Sequence, residues 1–214
     1  MPETEGKPGR NCPRCPRLAA FRKDWRAKEP EWFNAPVPSF GPLDARLLIV
    51  GLAPGLQGAN RTGRPFTGDY AGVLLYETLA RYDFARGQYG AHPDDGLQLT
   101  DCRISNAVRC VPPENKPTTA EIATCRDFLK MTIAEMPKLT TIVALGRIAH
   151  DSVVTAFGAK KSARPFKHGG KNTLGNLTLF SSYHCSRYNT NTGVLTPEMF
   201  RKVFAAVRGF LDGA

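Results

Sequence analysis

Polar or glycine-rich segments follow each of four short apolar runs in this chain, and their residue types could bind and transform a ligand. The stretch GANRTGRPFTGD (58–69) combines three glycines with two arginines, one phenylalanine and one aspartate. Asn106 lies in the polar end of the second run, Gly146 and Arg147 at the end of the third, and His184 at the end of the fourth. Taken singly, the glycines could form turns, Asn106 could be a satisfied buried amide and His184 could be a capping side chain. Their shared position after apolar runs favours one ligand-binding rim.

Four of the six cysteines have spacings that suit metal ligation. Cys12 and Cys15 form a C-x2-C pair, whose turn can direct both thiolates to one metal ion. Cys110 and Cys125 lie fifteen residues apart around a proline-rich segment, which is too wide for a second knuckle of that kind. Such uneven spacing suits a four-thiolate iron–sulfur cluster at least as well as structural zinc, and free core thiols are the remaining alternative. We interpret Cys102, inside an apolar run, as a small buried hydrophobic residue.

The apolar runs predict buried β-strands, and the segments between them have helical spacing. The predicted strands cover residues 45–54, 102–110, 140–146 and 177–184. The predicted helices cover residues 70–82, 118–136, 146–158 and 196–211. Thr118 or Thr119 is the expected N-cap of the second helix, and Thr196 that of the last. Strands alternating with helices predict a parallel sheet covered on both faces, and such sheets bind ligands beyond the carboxyl ends of their strands.

Length, charge and hydropathy narrow the possible functions. We predict a single domain over residues 1–214, in which residues 1–43 carry the first cysteine pair and a proline-rich strap over the surface from residue 28. The formal net charge of +10 favours a polyanionic partner such as a nucleic acid. No apolar run approaches the roughly 20 residues of a membrane span. The N-terminus has no apolar segment of signal-peptide type, so we predict a cytoplasmic protein.

Four segments of the chain form a more specific pattern. They are CPRC (12–15), GLAPGLQGANRTGRPFTGD (51–69), NAVRCVPPENKPTTAEIATC (106–125) and SSYHCSRYNTNTG (181–193). Together they resemble the uracil-DNA glycosylase superfamily, and within it the iron–sulfur type called family 5 or type b. The resemblance implies a three-layer α/β/α sandwich with a central four-stranded parallel sheet, and removal of damaged bases from DNA. The resemblance also implies a [4Fe–4S] cluster bound by Cys12, Cys15, Cys110 and Cys125. Structural zinc is the alternative occupant of this site.

The resemblance gives each polar group of the rim a task in breaking an N-glycosidic bond. The ring of Phe66 is expected to stack on a base flipped out of the duplex, and the amide of Asn106 to read the edge of that base. His184 would hydrogen-bond the negative charge that develops on the leaving base. Asp69 would stabilise the positive sugar and orient water, and it is also the expected N-cap of the following helix.

The segment that begins at Gly51 is the implied substrate loop, with Ala53 and Pro54 beside the base. Most of the superfamily has an acidic or amide residue two places after this glycine, and Ala53 cannot activate water. Family 5 shares that absence and is associated with a wider range of bases, so the resemblance implies uracil, hypoxanthine and xanthine as substrates. Cys185 follows His184 at a position where other branches of the superfamily commonly have proline. The resemblance therefore does not predict whether the loop after His184 has a rigid backbone.

Two segments are expected to contact double- or single-stranded DNA. The residues concerned are Arg61, Arg64, Arg187, Tyr188, Asn189 and Asn191. The two arginines of the first segment would face phosphates without reading sequence, so binding should weaken steeply with salt. The second segment, the loop RYNTNTG (187–193), would enter the vacated base stack, with Tyr188 as the preferred wedge and Arg187 as the other candidate. Its asparagines would bond phosphates or base edges.

Three functional classes are compatible with these features. We favour a monofunctional glycosylase that hydrolyses the bond and leaves an abasic site, because no lysine has a supporting motif for Schiff-base chemistry. A catalytically silent iron–sulfur or zinc DNA-binding module is the alternative, since Ala53 removes one expected catalytic group. A nucleotide-binding enzyme is disfavoured, because GLAPGLQG fits neither glycine pattern for phosphate binding. A monomer is expected for an enzyme that clamps DNA.

Overall fold

The computed structural model describes residues 7–213 and contains a five-stranded sheet and a small hairpin. The strands are β1 (Leu47–Gly51), β2 (Ala85–Arg86), β3 (Gln98–Leu99), β4 (Cys102–Asn106), β5 (Thr141–Leu145), β6 (Lys171–Leu174) and β7 (Leu177–Ser182). The sheet has the order β4-β1-β5-β7-β6, and neighbours run parallel except β6, which is antiparallel to β7. Strands β2 and β3 form the antiparallel hairpin.

The predicted parallel sheet is confirmed, but it has a fifth strand that the sequence pattern does not predict. Strand β6 lies at the edge of the sheet and has the sequence KNTL, in which only Leu174 is buried. Edge strands often carry charged and polar residues, which discourage pairing with other chains. Because such a strand lacks an apolar run, its sequence resembles that of a loop.

Seven α-helices lie within residues 7–213, and four of them cover both faces of the sheet. The helices are α1 (Pro16–Lys28), α2 (Ala59–Thr62), α3 (Tyr70–Arg81), α4 (Thr119–Ala134), α5 (Arg147–Ala156), α6 (Arg187–Asn191) and α7 (Pro197–Asp212). Leu47 and Ile49 of β1 share a core with α3 and α7, whereas Leu48 and Val50 share a second core with α4 and α5. Alternate side chains of a strand point to opposite faces, so the result is a three-layer α/β/α sandwich.

Side-chain caps mark the start of three of the four predicted helices, whereas the fourth, α5, begins after Gly146 without one. Thr118 caps α4 in a capping box, in which its hydroxyl accepts from the Glu121 amide at 3.2 Å and the Glu121 carboxylate accepts from the Thr118 amide at 2.8 Å. Thr196 caps α7 by accepting from the Met199 amide at 3.1 Å. The four predicted helices are therefore confirmed, with their starts fixed to within about two residues of the prediction.

The proline-rich strap differs from its prediction as a surface segment, because residues 34–37 are buried. The Val37 amide donates to the Arg109 carbonyl at 2.7 Å, and Phe40 forms an antiparallel bridge with Ile104. These bonds satisfy backbone groups on the free edge of β4. This part of the strap therefore packs against the open edge of the sheet and does not lie over the surface.

Two short elements near the carboxyl ends of the strands were predicted as irregular segments. Helix α2 lies inside the glycine-rich segment, and Gly63 ends it in the left-handed conformation with φ 78°. Helix α6 replaces most of the predicted loop 187–193, because the Ser186 hydroxyl caps it by accepting from the Asn189 amide at 3.3 Å. Among the helices of residues 7–213, none is long and apolar enough to cross a membrane.

Candidate active site

An open pocket with a volume of about 530 Å³ lies at the carboxyl ends of three strands. Gly51 ends β1, Asn106 ends β4, and His184 follows β7 by two residues. The pocket is lined by residues 52–59, Phe66, residues 69–71, Asn106, Asn115, His184, Ser186 and Arg187. The structure therefore brings Phe66, Asp69, Asn106 and His184 together at one site, but the predicted rim residues Gly146 and Arg147 do not line it. The volume is that of a typical small-molecule pocket.

Asn106 presents an unpaired amide oxygen in this pocket. The residue is only 3% exposed, and its Oδ1 has no hydrogen-bond partner among residues 7–213. A Cβ atom at Gly51 would collide with this oxygen, and it would lie 2.7 Å from Cζ of Phe66. The glycine therefore lets both groups approach β1. Buried polar atoms are almost always paired, so an orphaned acceptor that lines a pocket points to a ligand with an N–H or O–H donor.

Phe66 forms one wall of the pocket. Its backbone has φ 53°, in the left-handed region, and its side chain is 7% exposed. The Phe66 and His184 ring centroids are 5.9 Å apart, with an angle of 27° between the ring planes. A non-glycine residue in this conformation is uncommon and costs about 1 kcal/mol or more, so the fold holds the ring here at the expense of backbone strain. The ring is thereby available to stack on a planar ligand.

Asp69 is both the N-cap of α3 and a wall of the pocket. Its Oδ1 accepts from the Gly72 amide at 3.2 Å. Gly58 leaves room for the second oxygen, since a Cβ at that position would collide with Oδ2. Burial raises the pKa of the carboxyl above its ordinary value, and the hydrogen bonds from backbone amides oppose that rise. A carboxylate with a raised pKa is a stronger base, which suits the predicted handling of water.

His184 is held as a neutral imidazole. Burial lowers its pKa to about 4, so the ring carries no charge near pH 7 and can still donate one N–H. The side-chain Nδ2 of Asn189 donates to the His184 carbonyl at 2.8 Å. Cys185 is fully buried, and its thiol donates to the Ala71 carbonyl at 3.5 Å. These contacts fix the loop without the proline of other superfamily branches.

Asn115 lines the same pocket, although the sequence did not identify it. It ends a 3-10 turn at Pro113–Asn115, where Glu114 and Asn115 have φ values of 54° and 57°. The turn lies in the proline-rich loop that leads from Cys110 towards α4. The one sequence feature that could have indicated Asn115 is its position in a loop that follows the strand ending in Asn106. Only the fold shows that it turns back over the pocket.

The residues predicted to contact DNA have different environments. Arg187, Tyr188 and Asn191 are exposed beside the pocket or on α6, and Tyr188 is 74% exposed. Arg61 on α2 is also exposed. The Asn189 side chain instead bonds the His184 carbonyl, so its amide hydrogens are partly committed inside the protein.

Arg64 does not face solvent, which contradicts the prediction that it binds phosphate. Its side chain is 6% exposed and forms a two-pronged ion pair with Asp95, with N–O distances of 2.8 and 2.6 Å. Its Nε donates to the Thr67 hydroxyl at 2.7 Å. The guanidinium also lies over the rings of Tyr76 and Tyr89, at 5.5 and 6.0 Å from the centroids. A charge paired in this way has no free donor directed at DNA.

The four predicted ligand cysteines line a second, smaller pocket together with Leu18, Val108 and Phe128. Arg22 donates to the Cys110 sulfur at 3.2 Å, and the Arg109 amide donates to the Cys125 sulfur at 3.3 Å. Burial raises the pKa of the Cys110 thiol to about 11 and that of Cys125 to about 12. Within residues 7–213, no three His, Cys, Asp or Glu side chains are arranged to hold a single metal ion. Cys102, away from this pocket, is fully buried as predicted.

Helix α1 joins the first cysteine pair to the rest of the fold. The Arg17 guanidinium makes two 2.7 Å hydrogen bonds to the Glu121 carboxylate at the start of α4. Arg14 lies over the ring of Phe128, 4.6 Å from its centroid. These contacts place the Cys12–Cys15 segment against the helix that carries Cys125, so the pocket is closed by two helices from distant parts of the chain.

Comparison with known proteins identifies the family of this chain. Residues 38–208 match the family model described as "Uracil DNA glycosylase superfamily". A "Type-5 uracil-DNA glycosylase" of Thermus thermophilus is 45% identical over 199 residues, which cover 90% of each chain, and one of Pyrobaculum aerophilum is 39% identical over 90% of this chain and 86% of its own. A "Type-4 uracil-DNA glycosylase" of Thermotoga maritima is 35% identical over 68% of this chain and 67% of its own. The chain belongs to the uracil-DNA glycosylase superfamily and, within it, to the type-5 family.

Proposed function

We propose that this protein is a monofunctional DNA glycosylase that flips uracil out of DNA and hydrolyses its N-glycosidic bond, as a step of base excision repair. The observation that carries the proposal is the meeting of four chemically distinct groups in one pocket. They are the ring of Phe66, the amide of Asn106, the carboxylate of Asp69 and the neutral imidazole of His184. An enzyme that cuts this bond has to stack on the base, recognise its edge, polarise it as it leaves and direct water to the sugar. Each of the four groups can perform one of these tasks.

Recognition of the base relies on Phe66 and Asn106. The ring of Phe66 stacks on the flipped base. The unpaired Oδ1 of Asn106 accepts the N3–H of uracil, which would satisfy a buried acceptor that has no partner among residues 7–213. A buried acceptor without a donor loses free energy, so this contact favours a base with an N–H at that edge.

Bond cleavage relies on His184 and Asp69. As the bond between C1′ of the sugar and N1 of uracil breaks, its electron pair moves onto the base and reaches O2. The neutral His184 donates a hydrogen bond to that oxygen, and Asp69 stabilises the positive sugar. A water molecule then adds its oxygen to C1′ and gives a proton to Asp69. No step forms a bond between protein and DNA, so the product is free base and an abasic site.

Water positioning has to differ from that of superfamily members with a polar residue after the first strand. Ala53 lines the pocket and has no polar side-chain atom. Asn115 lines the same pocket and carries an amide that can both donate and accept. We assign Asn115 a supporting role in holding the water that Asp69 orients.

The proposed substrates also include hypoxanthine and xanthine. Both carry a carbonyl and an N–H on the edge that Asn106 would read, and the volume of about 530 Å³ leaves room for a purine. An alanine at position 53 adds no further hydrogen-bond requirement to the base. A pocket with few such requirements discriminates weakly between bases of similar chemistry.

DNA is proposed to lie across the rim, with Tyr188 as the wedge. Tyr188 is the most exposed of the large apolar side chains that the structure describes on the surface, and it projects from α6 next to the pocket. Arg187, which lines the pocket, and Arg61 on α2 would contact phosphates. Single strands would bind at the same rim without a wedge step. The monomeric state and cytoplasmic location stay predictions from the sequence.

A [4Fe–4S] cluster is the proposed occupant of the cysteine pocket. Four thiolates from Cys12, Cys15, Cys110 and Cys125 are the donor set of such a cluster, and Arg22 and the Arg109 amide already donate to two of the sulfurs. Zinc would need all four sulfurs about 2.3 Å from one point. All four cysteines line one pocket, and the cluster is proposed because the uneven spacing of these ligands suits it, with zinc as the alternative. Its contribution would be to brace the fold, with no part in base removal.

The test is base release under single-turnover conditions from duplexes of one sequence that differ only in the central base. Uracil, hypoxanthine and xanthine should appear as free bases, and the strand should break only on later treatment with alkali. An undamaged duplex and a single strand with uracil serve as controls, and borohydride should trap no protein–DNA adduct. Tight binding without release would instead establish the catalytically silent DNA-binding module.

A further inference from the structure

The buried ion pair of Arg64 and Asp95 lies directly behind the wall of the pocket that Phe66 forms. Each side chain is 6% exposed, and two hydrogen bonds join them. Arg64 also donates to the Pro93 carbonyl at 3.2 Å. Asp95 in turn accepts from the Gly90 and Leu97 amides at 2.9 and 3.0 Å. The pair therefore ties the loop that carries Phe66 to the segment between β2 and β3.

Two tyrosines extend this tie to the backbone on either side of Phe66. The Tyr76 hydroxyl donates to the Pro65 carbonyl at 2.6 Å, and the Tyr89 hydroxyl donates to the Phe66 carbonyl at 3.1 Å. The Tyr89 oxygen also accepts from the Gly68 amide at 3.4 Å. The two rings stack with centroids 4.7 Å apart, and the Arg64 guanidinium lies over both. Three consecutive peptide groups are thus fixed from behind.

The loop needs such fixation because its backbone is unfavourable. Phe66 has φ 53°, which a residue with a side chain disfavours, whereas Gly68 adopts its φ of 88° without strain. Gly72 of α3 packs so closely on the Phe66 carbonyl that a Cβ atom there would collide with it. A strained conformation persists only where its surroundings determine it strongly. Without these contacts, the Phe66 ring would sample positions away from the pocket.

We propose that Arg64, Asp95 and Tyr89 are positioning residues that hold Phe66 in its base-stacking conformation before DNA binds. This inference rests on the proposed glycosylase function, because it assigns these residues to the reaction only through Phe66. None of the three lines the pocket. Their effect is to remove the conformational cost that Phe66 would otherwise meet when the base arrives, since a preformed site does not have to be ordered during the reaction.

Tyr89 offers the cleanest test, because Tyr89→Phe keeps the ring stacked on Tyr76 and removes only the hydroxyl. Substitution of Arg64 or Asp95 alone leaves an unpaired buried charge, which destabilises the whole fold. Asp95→Asn is therefore assayed only below its own unfolding temperature, and Asp94→Asn serves as the control for loss of one acidic charge. Asp94 is the neighbouring acid, its side chain is 87% exposed, and its one ion pair in the described chain is a long contact to His92.

The experiment measures single-turnover uracil release for Tyr89→Phe in the wild-type and Phe66→Ala backgrounds. We expect Tyr89→Phe to slow release roughly tenfold in the wild type, because misplacement of a group by a fraction of an ångström has effects of that order. In the Phe66→Ala background the same substitution should change the rate less than about twofold, since the ring it positions is absent. Asp95→Asn should slow release strongly, and Asp94→Asn should leave it unchanged.

The outcomes separate this inference from the proposed function. An active wild type with an equally active Tyr89→Phe variant overturns the positioning role and leaves the glycosylase function intact. Equal slowing by Tyr89→Phe in both backgrounds also overturns it, because the hydroxyl would then act independently of Phe66. A wild type that releases no base overturns the glycosylase function itself. Thermal unfolding of each variant shows whether a slow rate reflects loss of folded protein.

Discussion

The active-site pocket and the cysteine pocket lie at opposite ends of one short segment. Polar atoms of the first pocket lack hydrogen-bond partners, whereas sulfur atoms of the second pocket have them. Asn106 lines the first pocket and Cys110 lines the second, only four residues further along the chain. In the first pocket, Asn106 Oδ1 has no partner and Asp69 has an oxygen directed away from its helix cap. In the second pocket, two sulfurs accept hydrogen bonds from Arg22 and from the Arg109 amide.

This difference separates a site that acts on a ligand from a site that holds the fold. An unpaired acceptor and a strained aromatic residue cost stability, and they are retained where a ligand uses them. Sulfur atoms that already accept hydrogen bonds and are enclosed by two helices are not accessible to a substrate. We therefore expect substitutions in the first pocket to affect turnover and those in the second to affect folding.

Cys110→Ser should have the largest effect, because it removes one of four proposed ligands from a buried position. Loss of a metal site that closes a long loop can cost on the order of 10 kcal/mol, which exceeds the stability of most domains. The variant should therefore yield little soluble protein and no visible iron–sulfur absorption. Cys102→Ala is the matched control, since Cys102 is buried outside the pocket and the change should preserve the absorption. A folded and fully active Cys110→Ser protein would disprove the cluster assignment.

Asp69→Asn should have the second largest effect, and it should act on turnover alone. Asparagine caps helices as well as aspartate does, so α3 should keep its start and the protein its unfolding temperature. Loss of a general base and a charge beside the sugar typically slows a reaction roughly 100-fold or more. Single-turnover uracil release and binding to an abasic duplex should show a slow rate with unchanged affinity. Unchanged release would remove Asp69 from the mechanism.

The pH profile gives an independent check on the same residue. Burial raises the pKa of Asp69 and lowers that of His184 to about 4, and both groups lose their active form on the acid side. Release should therefore be insensitive to pH above neutrality and fall in acid at a higher pH than an exposed aspartate would dictate. In Asp69→Asn the residual rate should fall only near pH 4. A fall near pH 6.5 in that variant would mean that His184 titrates as an exposed histidine.

The sequence predicted the active-site pocket better than it predicted the surroundings. Asn106 ends one buried strand and His184 follows another, and the carboxyl ends of parallel strands meet at one edge, so local patterns were enough to bring them together even though the strand that Asn106 ends was predicted four residues too long. Asn115 was missed because its place in the pocket depends on how a proline-rich loop turns back. The periodicity of apolar residues predicts strands and helices, but it does not predict the path of such a loop.

Arg61 and Arg64 show the same limit more sharply. They lie three residues apart in one basic segment, and the sequence gives no reason to treat them differently. Asp95, thirty-one residues beyond Arg64, forms an ion pair with Arg64 and buries it, whereas Arg61 stays exposed. Long-range pairing of this kind is a property of the tertiary fold, and composition or spacing does not reveal it.

Tyr188→Ala tests whether the rim of the first pocket opens the duplex. The wedge is needed only where a base has to leave a stack, so the substitution should slow uracil release from a duplex by roughly tenfold and barely affect a single strand of the same sequence. The ratio of the two rates is the measurement, and it cancels any general loss of activity. Equal slowing on both substrates would move Tyr188 from wedge to general DNA contact.

Arg61→Gln should have the smallest effect, and it completes the comparison of the two pockets. Arg61 is exposed near the active-site pocket, whereas Arg14 is partly exposed at the cysteine pocket with 38% of its side chain accessible. If DNA lies only across the active-site rim, Arg61→Gln should weaken binding a few-fold and lower the salt dependence by about one ion. Arg14→Gln should change neither. Equal losses from both variants would extend the DNA surface to the cysteine pocket and end its assignment as a purely structural site.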